Sequence, residues 1–171
     1  VAMLDWASAL ARPPHRVVYV SSGVYGYGHR AEPEAPQDPP IAEDAPLAPQ
    51  DATYDITKAT GEWLVGRWSA LTGISAVSVR PSAIFGPLDR DTEGRKQHPA
   101  PWHVAQAARA GRVLHVNDLR AGYDWLYAPD AGRAIAQIMN ADAPRHAAYN
   151  IGYGRPATLA DLAEGARLVY P

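Results

Sequence analysis

The chain has 171 residues, 47% hydrophobic and 20% charged, with a formal net charge of −2. That length allows one domain with a real core, and so balanced a charge sets up no field to draw in nucleic acid or an anionic membrane. Cysteine is absent, which excludes disulfides and thiolate chemistry and removes the usual ligands of a structural zinc. No apolar run approaches the roughly 20 residues that span a bilayer, and Val1 to Trp6 lacks the charged and apolar regions of a signal peptide. The expectation is a cytoplasmic protein with no metal, membrane or nucleic-acid partner.

Val1 to Ala11 reads as a helix end, with Met3, Leu4, Ala7 and Leu10 on one face. Arg12-Pro13-Pro14-His15 breaks it, and Arg16 to Val20 is a β-branched run suited to a strand buried in a parallel sheet. Ser21-Ser22-Gly23 ends that strand in small residues. Residues 29–52 are rich in Glu, Asp and Pro and form a long loop, the kind that serves as a lid or substrate wall, or merely as a solvated excursion. Thr53 to Leu71 is a predicted helix closed by Gly73, and Ile74 to Arg80 is a second strand leading into a turn-rich exit, Pro81 to Pro87. Further on come a helix over Trp102 to Ala110, a short strand at Val113 to Val116, and an aromatic stretch from Tyr123 to Tyr127. A helix follows from Pro129 to Asn140, then a strand from Ala148 to Gly152, and a last helix capped by Thr158 with Asp161 in its first turn. Strand, helix and strand in succession give α/β architecture. A parallel sheet that opens on an internal-looking strand leaves an edge to be covered, so a preceding segment is expected.

Three features carry chemistry. Ser21 and Ser22 sit at the carboxyl end of a strand, where open α/β sheets bind ligands. Tyr54 and Lys58 are spaced i, i+4 on one helix face, and an ammonium beside a phenol stabilises the phenolate and suits it to proton transfer near neutral pH. Arg80-Pro81-Ser82-Ala83-Ile84-Phe85-Gly86-Pro87 leaves the second strand through a proline-fixed exit. Each feature is common alone; their order and spacing together are not.

Taken together these segments resemble the extended short-chain dehydrogenases/reductases of the NAD-dependent epimerase/dehydratase family. Arg16 to Ser22 followed by Val24-Tyr25-Gly26 is similar to their strand and "SS…VYG" segment, and Tyr54-x-x-x-Lys58 to their catalytic pair. Arg80 to Pro87 resembles their "RP…GP" segment, Tyr123 to Asp130 their "RDfiyVdD" stretch, and Tyr149-Asn150-Ile151-Gly152 their "yNiG" strand. The family's opening strand with Gly-x-x-Gly-x-x-Gly is not found, so the resemblance implies an N-terminally truncated chain.

The fold so implied is α/β: the C-terminal half of a Rossmann-like, doubly wound parallel sheet over residues 1–87, plus a small α/β substrate-binding part over 88–171. A strand near 148–152 is expected to return to the sheet. The activity implied is NAD- or NADP-dependent oxidation–reduction or epimerisation of a sugar or related hydroxy/keto substrate. The alternatives are a carbonyl reductase with a non-sugar substrate, and an inactive fragment or a dinucleotide-sensing relative. Tyr54 would be the acid/base, Lys58 would tune it and bind the nicotinamide ribose, and Ser22, or Ser21, would hold the substrate oxygen. Pro81 and Ser82 would line the cofactor, Arg95 would meet an acidic group of the substrate, and Arg120 a phosphate on it. Ser21-Ser22-Gly23 replaces the Thr-Asp-Glu set of the dehydratases, and Tyr123 stands where epimerases place a phosphate-holding arginine. The first departure argues against that dehydration, and the second turns the expectation towards a smaller sugar, an aldonate or a ketone. The family also implies a homodimer through the helix that bears Tyr54, where Trp63 and Trp68 would suit either an interface or a core.

Overall fold

A computed structural model of the chain describes residues 1–23, 41–47, 53–93 and 97–170. Among them the elements run α1 (Ala2–Ala9), β1 (Arg16–Val20), α2 (Thr53–Thr72), β2 (Ser75–Pro81), β3 (Ala83–Phe85), α3 (Ala100–Arg109), β4 (Gly122–Tyr123), β5 (Trp125–Tyr127), α4 (Ala128–Asn140), β6 (Ala148–Ile151), β7 (Ala157–Thr158) and α5 (Leu159–Val169). This is the expected α/β class, with a parallel sheet. The chain divides into two compact units, and α4 runs from one into the other.

The first unit comprises residues 1–23, Ile41–Ser82 and Ala131–Ile151. Its sheet has the order β1-β2-β6, all parallel, with Val20 beside Val79 and Val79 beside Tyr149. Parallel neighbours need crossover connections, and α2 supplies the one between β1 and β2. The central strand is the most buried: Val77 and Val79 are 2% and 0% exposed, as expected of a valine-rich strand covered on both faces. Gly73 closes α2 with φ +72°, a conformation that costs glycine nothing. Trp68 packs into the core and donates its indole N–H to Ser8 Oγ at 2.8 Å, which ties α1 to α2, while Trp63 stays on the surface.

Arg16 anchors α4. Its guanidinium donates to the carbonyls of Ile138, Met139 and Ala141 at 2.7, 3.1 and 2.7 Å, while its Nε donates to Ser75 Oγ at 3.0 Å. The last carbonyls of a helix have no partners of their own and carry the negative end of its dipole. A buried cation is therefore well placed at the end of α4, and one side chain pins that helix to β1.

The second unit includes Ala83–Asp130 and Gly152–Pro171. The turn-rich exit expected over 81–87 contains β3, which pairs in parallel with β5, Ile84 beside Leu126. β4 pairs antiparallel with β7. Between β4 and β5 the Asp124 carboxylate accepts the backbone N–H groups of Tyr153 and Gly154 at 2.7 and 2.9 Å, so it closes the 153–154 turn. The expected cap of the last helix is a complete capping box: Thr158 Oγ accepts from Asp161 N, and the Asp161 carboxylate accepts from Thr158 N. The strand expected at Val113 to Val116 does not form. The run is exposed, Val113 by 81%, and no strand pairs with it among the described residues. A short apolar run becomes a strand only where a neighbour supplies the ladder.

His98 braces the segment before α3. Its ring is 2% exposed and stacks on Trp102 with centroids 4.1 Å apart. Nε2 lies 2.7 Å from an Asp91 oxygen and Nδ1 3.0 Å from an Asp89 oxygen. Only the imidazolium can donate from both nitrogens. The bond to Asp91 and then that to Asp89 raise its proton affinity above the ordinary histidine value. A raised folded-state value means that this stabilisation is fully present below the unfolded histidine pKa, and is lost as pH rises through the folded-state value. The melting temperature is expected to fall as pH is taken from about 6 to about 8, and Asp91→Asn should flatten that fall. A wild-type profile as flat as the variant's would contradict the brace.

Candidate active site

The site is built where β1 ends. The β1–β2 ladder continues past Val20, since Ser21 donates its N–H to the Val79 carbonyl at 2.8 Å. Side chains alternate along a strand, so Ser21 falls on the same face as Tyr19, the face covered by α2. Ser21 and Ser22 are 3% and 6% exposed, and among the described residues the buried Ser21 hydroxyl has no hydrogen-bond partner. Gly23 follows where there is no room for a side chain: a Cβ there would meet the Arg80 carbonyl oxygen at 3.0 Å. The chain leaving β1 is thereby seated against the backbone of Arg80 and Pro81.

Helix α2 brings Tyr54 and Lys58 to the same place, one turn apart on one face. The Lys58 ammonium donates to the Val20 carbonyl at 2.9 Å, and it lies 5.5 Å from the Tyr54 ring centroid and 5.8 Å from that of Tyr19. Tyr54 is 50% exposed, so its ring is open to a ligand. Tyr19 runs beneath the helix, where its hydroxyl donates to the Lys58 carbonyl at 3.4 Å. Burial, then the charge of Glu62, then the neighbouring Tyr54 hold the Tyr19 phenol above its ordinary value and keep it neutral.

One turn after Lys58, Glu62 forms a buried ion pair with Arg80. The Arg80 Nη2 to Glu62 Oε2 distance is 2.7 Å, and both side chains are 7% exposed. Arg80 Nε also donates to both carboxylate oxygens at 3.0 Å. The third guanidinium nitrogen, Nη1, donates to the Glu43 carbonyl at 2.9 Å. Asn150 Nδ2 donates to the Ile41 carbonyl at 2.7 Å. The described part of the long loop, Ile41 to Leu47, is thus fastened to the ends of β2 and β6. Pro81 is buried next to Arg80. Ser82 donates its N–H to the Ile151 carbonyl at 2.8 Å, and its hydroxyl is buried with no partner among the described residues.

Within the first unit the structure gathers Tyr54, Lys58, Ser21, Ser22, Pro81 and Ser82 around the carboxyl ends of β1 and β2. Arg120 belongs to the second unit. Its side chain is 91% exposed and pairs with Asp118 at 3.3 Å. The Arg120 backbone N–H, and then its guanidinium, hold the Asp118 carboxyl below the usual aspartate value. Arg95, and Val24 to Gly26 of the "VYG" segment, lie outside the described residues. Sequence reasoning gave no role to Tyr19, Gly61 or Glu62. Only Glu62 left a signal there, its i+4 spacing from Lys58 on the helix.

The residues present suit the nicotinamide end of a dinucleotide. Lys58 spends one of an ammonium's three donors on Val20, and two buried serine hydroxyls lack partners at the strand ends. The sequence contains no Gly-x-x-Gly-x-x-Gly turn for a pyrophosphate. Among the described residues no group of three or more His, Cys, Asp or Glu is placed to hold a metal, and no helix is long and apolar enough to cross a membrane.

Residues 1–152 match the family model "NAD dependent epimerase/dehydratase family". A similar protein is the rice (Oryza sativa subsp. japonica) "Probable GDP-L-fucose synthase 1", 27% identical over 140 residues, covering 76% of this chain and 41% of that protein. Among solved structures, UDP-glucose 4-epimerase from Thermotoga maritima with UDP-glucose is similar with a TM-score of 0.76 at 19% identity, over 98% of this chain and 50% of that one. The Thermus thermophilus UDP-glucose 4-epimerase complex with NAD has a TM-score of 0.70 at 21% identity, over 91% of this chain and 48% of that one. At such identities the likeness is one of fold. The chain spans about half the length of these structures.

Because Glu62 and Arg80 are buried against each other, removing one partner strands the other. Arg80→Met should cost about 3–5 kcal/mol in urea unfolding, and Arg80→Met with Glu62→Leu should regain most of it. A single variant within about 1 kcal/mol of the parent, the range of an exposed pair, would show that the pair is not buried.

Proposed function

The chain belongs to the NAD-dependent epimerase/dehydratase family, and on that premise we propose that it forms the catalytic and substrate-side part of an NAD(P)-dependent oxidoreductase or epimerase. Its substrate is a sugar or a related hydroxy/keto compound. The observation that carries this reading is the Lys58 ammonium, fixed to the Val20 carbonyl at 2.9 Å and set 5.5 Å from the half-exposed Tyr54 ring. Residues 1–87 supply the catalytic part and residues 88–171 most of the substrate contacts. By itself the chain turns nothing over, since no glycine-rich turn for the pyrophosphate is in it.

A bound nicotinamide dinucleotide supplies the hydride acceptor and donor. Tyr54 takes the proton of a substrate hydroxyl as it becomes a carbonyl, and returns it in the reverse step. The fixed charge of Lys58 stabilises the phenolate through that step, and its remaining donors would hold a ribose hydroxyl of the dinucleotide. Pro81 and Ser82 would border its nicotinamide ring. A serine at the end of β1 holds the substrate oxygen. Counting from the strand favours Ser22, whereas the buried, unpartnered hydroxyl of Ser21 on the α2 face supports Ser21 as a second reading. Tyr123 stands where a phosphate-holding arginine is expected and is 41% exposed, which supports a substrate without a diphosphate. Arg95 and Arg120 are assigned to an acidic group on it.

The test is turnover in a protein that joins this chain to a dinucleotide-binding strand–turn–helix. Tyr54→Phe should lower turnover by about 10²–10⁴-fold and leave cofactor affinity nearly unchanged. Lys58→Ala should weaken both. Alanine at 21 or at 22 identifies the serine by which one lowers the rate. Near-parental turnover in Tyr54→Phe would reject the assignment.

A further inference from the structure

Lys58 ends a side chain with four rotatable bonds, and one hydrogen bond to a carbonyl leaves such a tail free to swing. Two aromatic rings stand close to it. The ammonium is 5.5 Å from the Tyr54 centroid and 5.8 Å from the Tyr19 centroid, within the distance at which a ring's negative face attracts a cation. Tyr54 is the group that reacts in the proposed chemistry. Tyr19 differs from it in every respect that matters. It lies on the strand rather than the helix, it is partly buried, and burial with the Glu62 charge keeps its phenol protonated. Its hydroxyl donates to the Lys58 backbone carbonyl at 3.4 Å, so the same residue contacts both the helix turn and the lysine head. A glycine makes the approach possible: a Cβ at position 61 would occupy the space of the Tyr19 hydroxyl. Glycine costs about 1 kcal/mol against alanine in a helix interior, and at position 61 it leaves the space that the Tyr19 hydroxyl fills.

We propose that Tyr19 is a positioning residue for Lys58, its ring holding the ammonium against Tyr54 and the Val20 carbonyl, with Gly61 kept free of a side chain to admit it. This rests on the reading of Tyr54 and Lys58 as the proton-transfer pair, which it extends to a residue that touches neither substrate nor cofactor. Tyr19 acts through the face of its ring, so phenylalanine replaces it and leucine does not.

The chain has only two lysines, Lys58 and Lys96, so lysine labelled with carbon-13 at Cε gives two signals, assigned with Lys58→Arg. Lying close to two rings, the Lys58 ε-protons should appear upfield of those of Lys96 through ring currents. Tyr19→Phe should keep that displacement. Tyr19→Leu should lose more than half of it, and so should Gly61→Ala, which leaves both Tyr19 and Lys58 in place and tests the same contact by another route if Tyr19→Leu does not fold. A Lys58 signal that is not displaced in the parent, or that is unchanged in Gly61→Ala and in a folded Tyr19→Leu, overturns the proposal. A merely structural role for Tyr19 would lower the melting temperature and leave the Lys58 signal where it was. The signal is read without turnover, so it separates this proposal from the proton-transfer reading: a displaced Lys58 beside a fully active Tyr54→Phe enzyme would reject that reading and keep Tyr19 as the ring that places the lysine.

Discussion

The bond from the Lys58 ammonium to the Val20 carbonyl, 2.9 Å long, joins the two elements that make the site. Val20 is the last residue of β1, and Ser21 and Ser22 follow it directly. Lys58 lies one turn along α2 from Tyr54. A single contact therefore sets the distance between the helix that carries Tyr54, the proposed acid/base, and the strand end that carries the serines. The Val20 carbonyl can accept because it points away from β2, opposite to the Ser21 N–H of the same peptide that pairs with Val79. The cation it fixes stands beside the phenol whose charge it would stabilise. Position and electrostatics thus come from the same side chain.

Deeper contacts keep that arrangement rigid. Arg80 and Glu62 cross-link β2 to α2 within the same stretch of helix, and Arg80 also holds the described part of the long loop through the Glu43 carbonyl. Arg16 pins the amino end of β1 to the end of α4. Neither arginine is a cheap source of stability, because each is withdrawn from water and repaid only by well-formed bonds. What they provide is a fixed placement of the helices against the sheet, which the proposed proton transfer requires.

Much of this was legible in the chain. The strand Arg16 to Val20, the helix from Thr53 with its glycine stop, and the box formed by Thr158 and Asp161 follow from β-branching, helical spacing and capping chemistry, which are local causes. The Tyr54 and Lys58 pairing was visible as an i, i+4 spacing. What escaped the sequence depends on partners distant along it. Val113 to Val116 has a strand's composition but no neighbouring ladder. Ala83 to Phe85 reads as a turn and becomes a strand because Trp125 to Tyr127 lies beside it. Tyr19 reads as one more residue of a buried strand until Gly61 and Lys58 are brought over it, and Arg16 as a strand's first residue until the end of α4 arrives. The ion pair of Glu62 with Arg80 spans 18 residues, beyond any local pattern.

The proposal assigns the residues gathered here to the nicotinamide side of a dinucleotide site, and reduced nicotinamide mononucleotide, which has no adenylate half, is the probe that addresses them alone. The most direct measurement is its titration into the chain with both lysines labelled at Cε. The account predicts that the Lys58 signal moves saturably, with a Kd on the order of millimolar, that Lys96 stays in place, and that adenosine diphosphate has no such effect. A Lys58 signal that does not move, or that answers equally to adenosine diphosphate, would contradict the assignment of Tyr54 and Lys58 to a nicotinamide site.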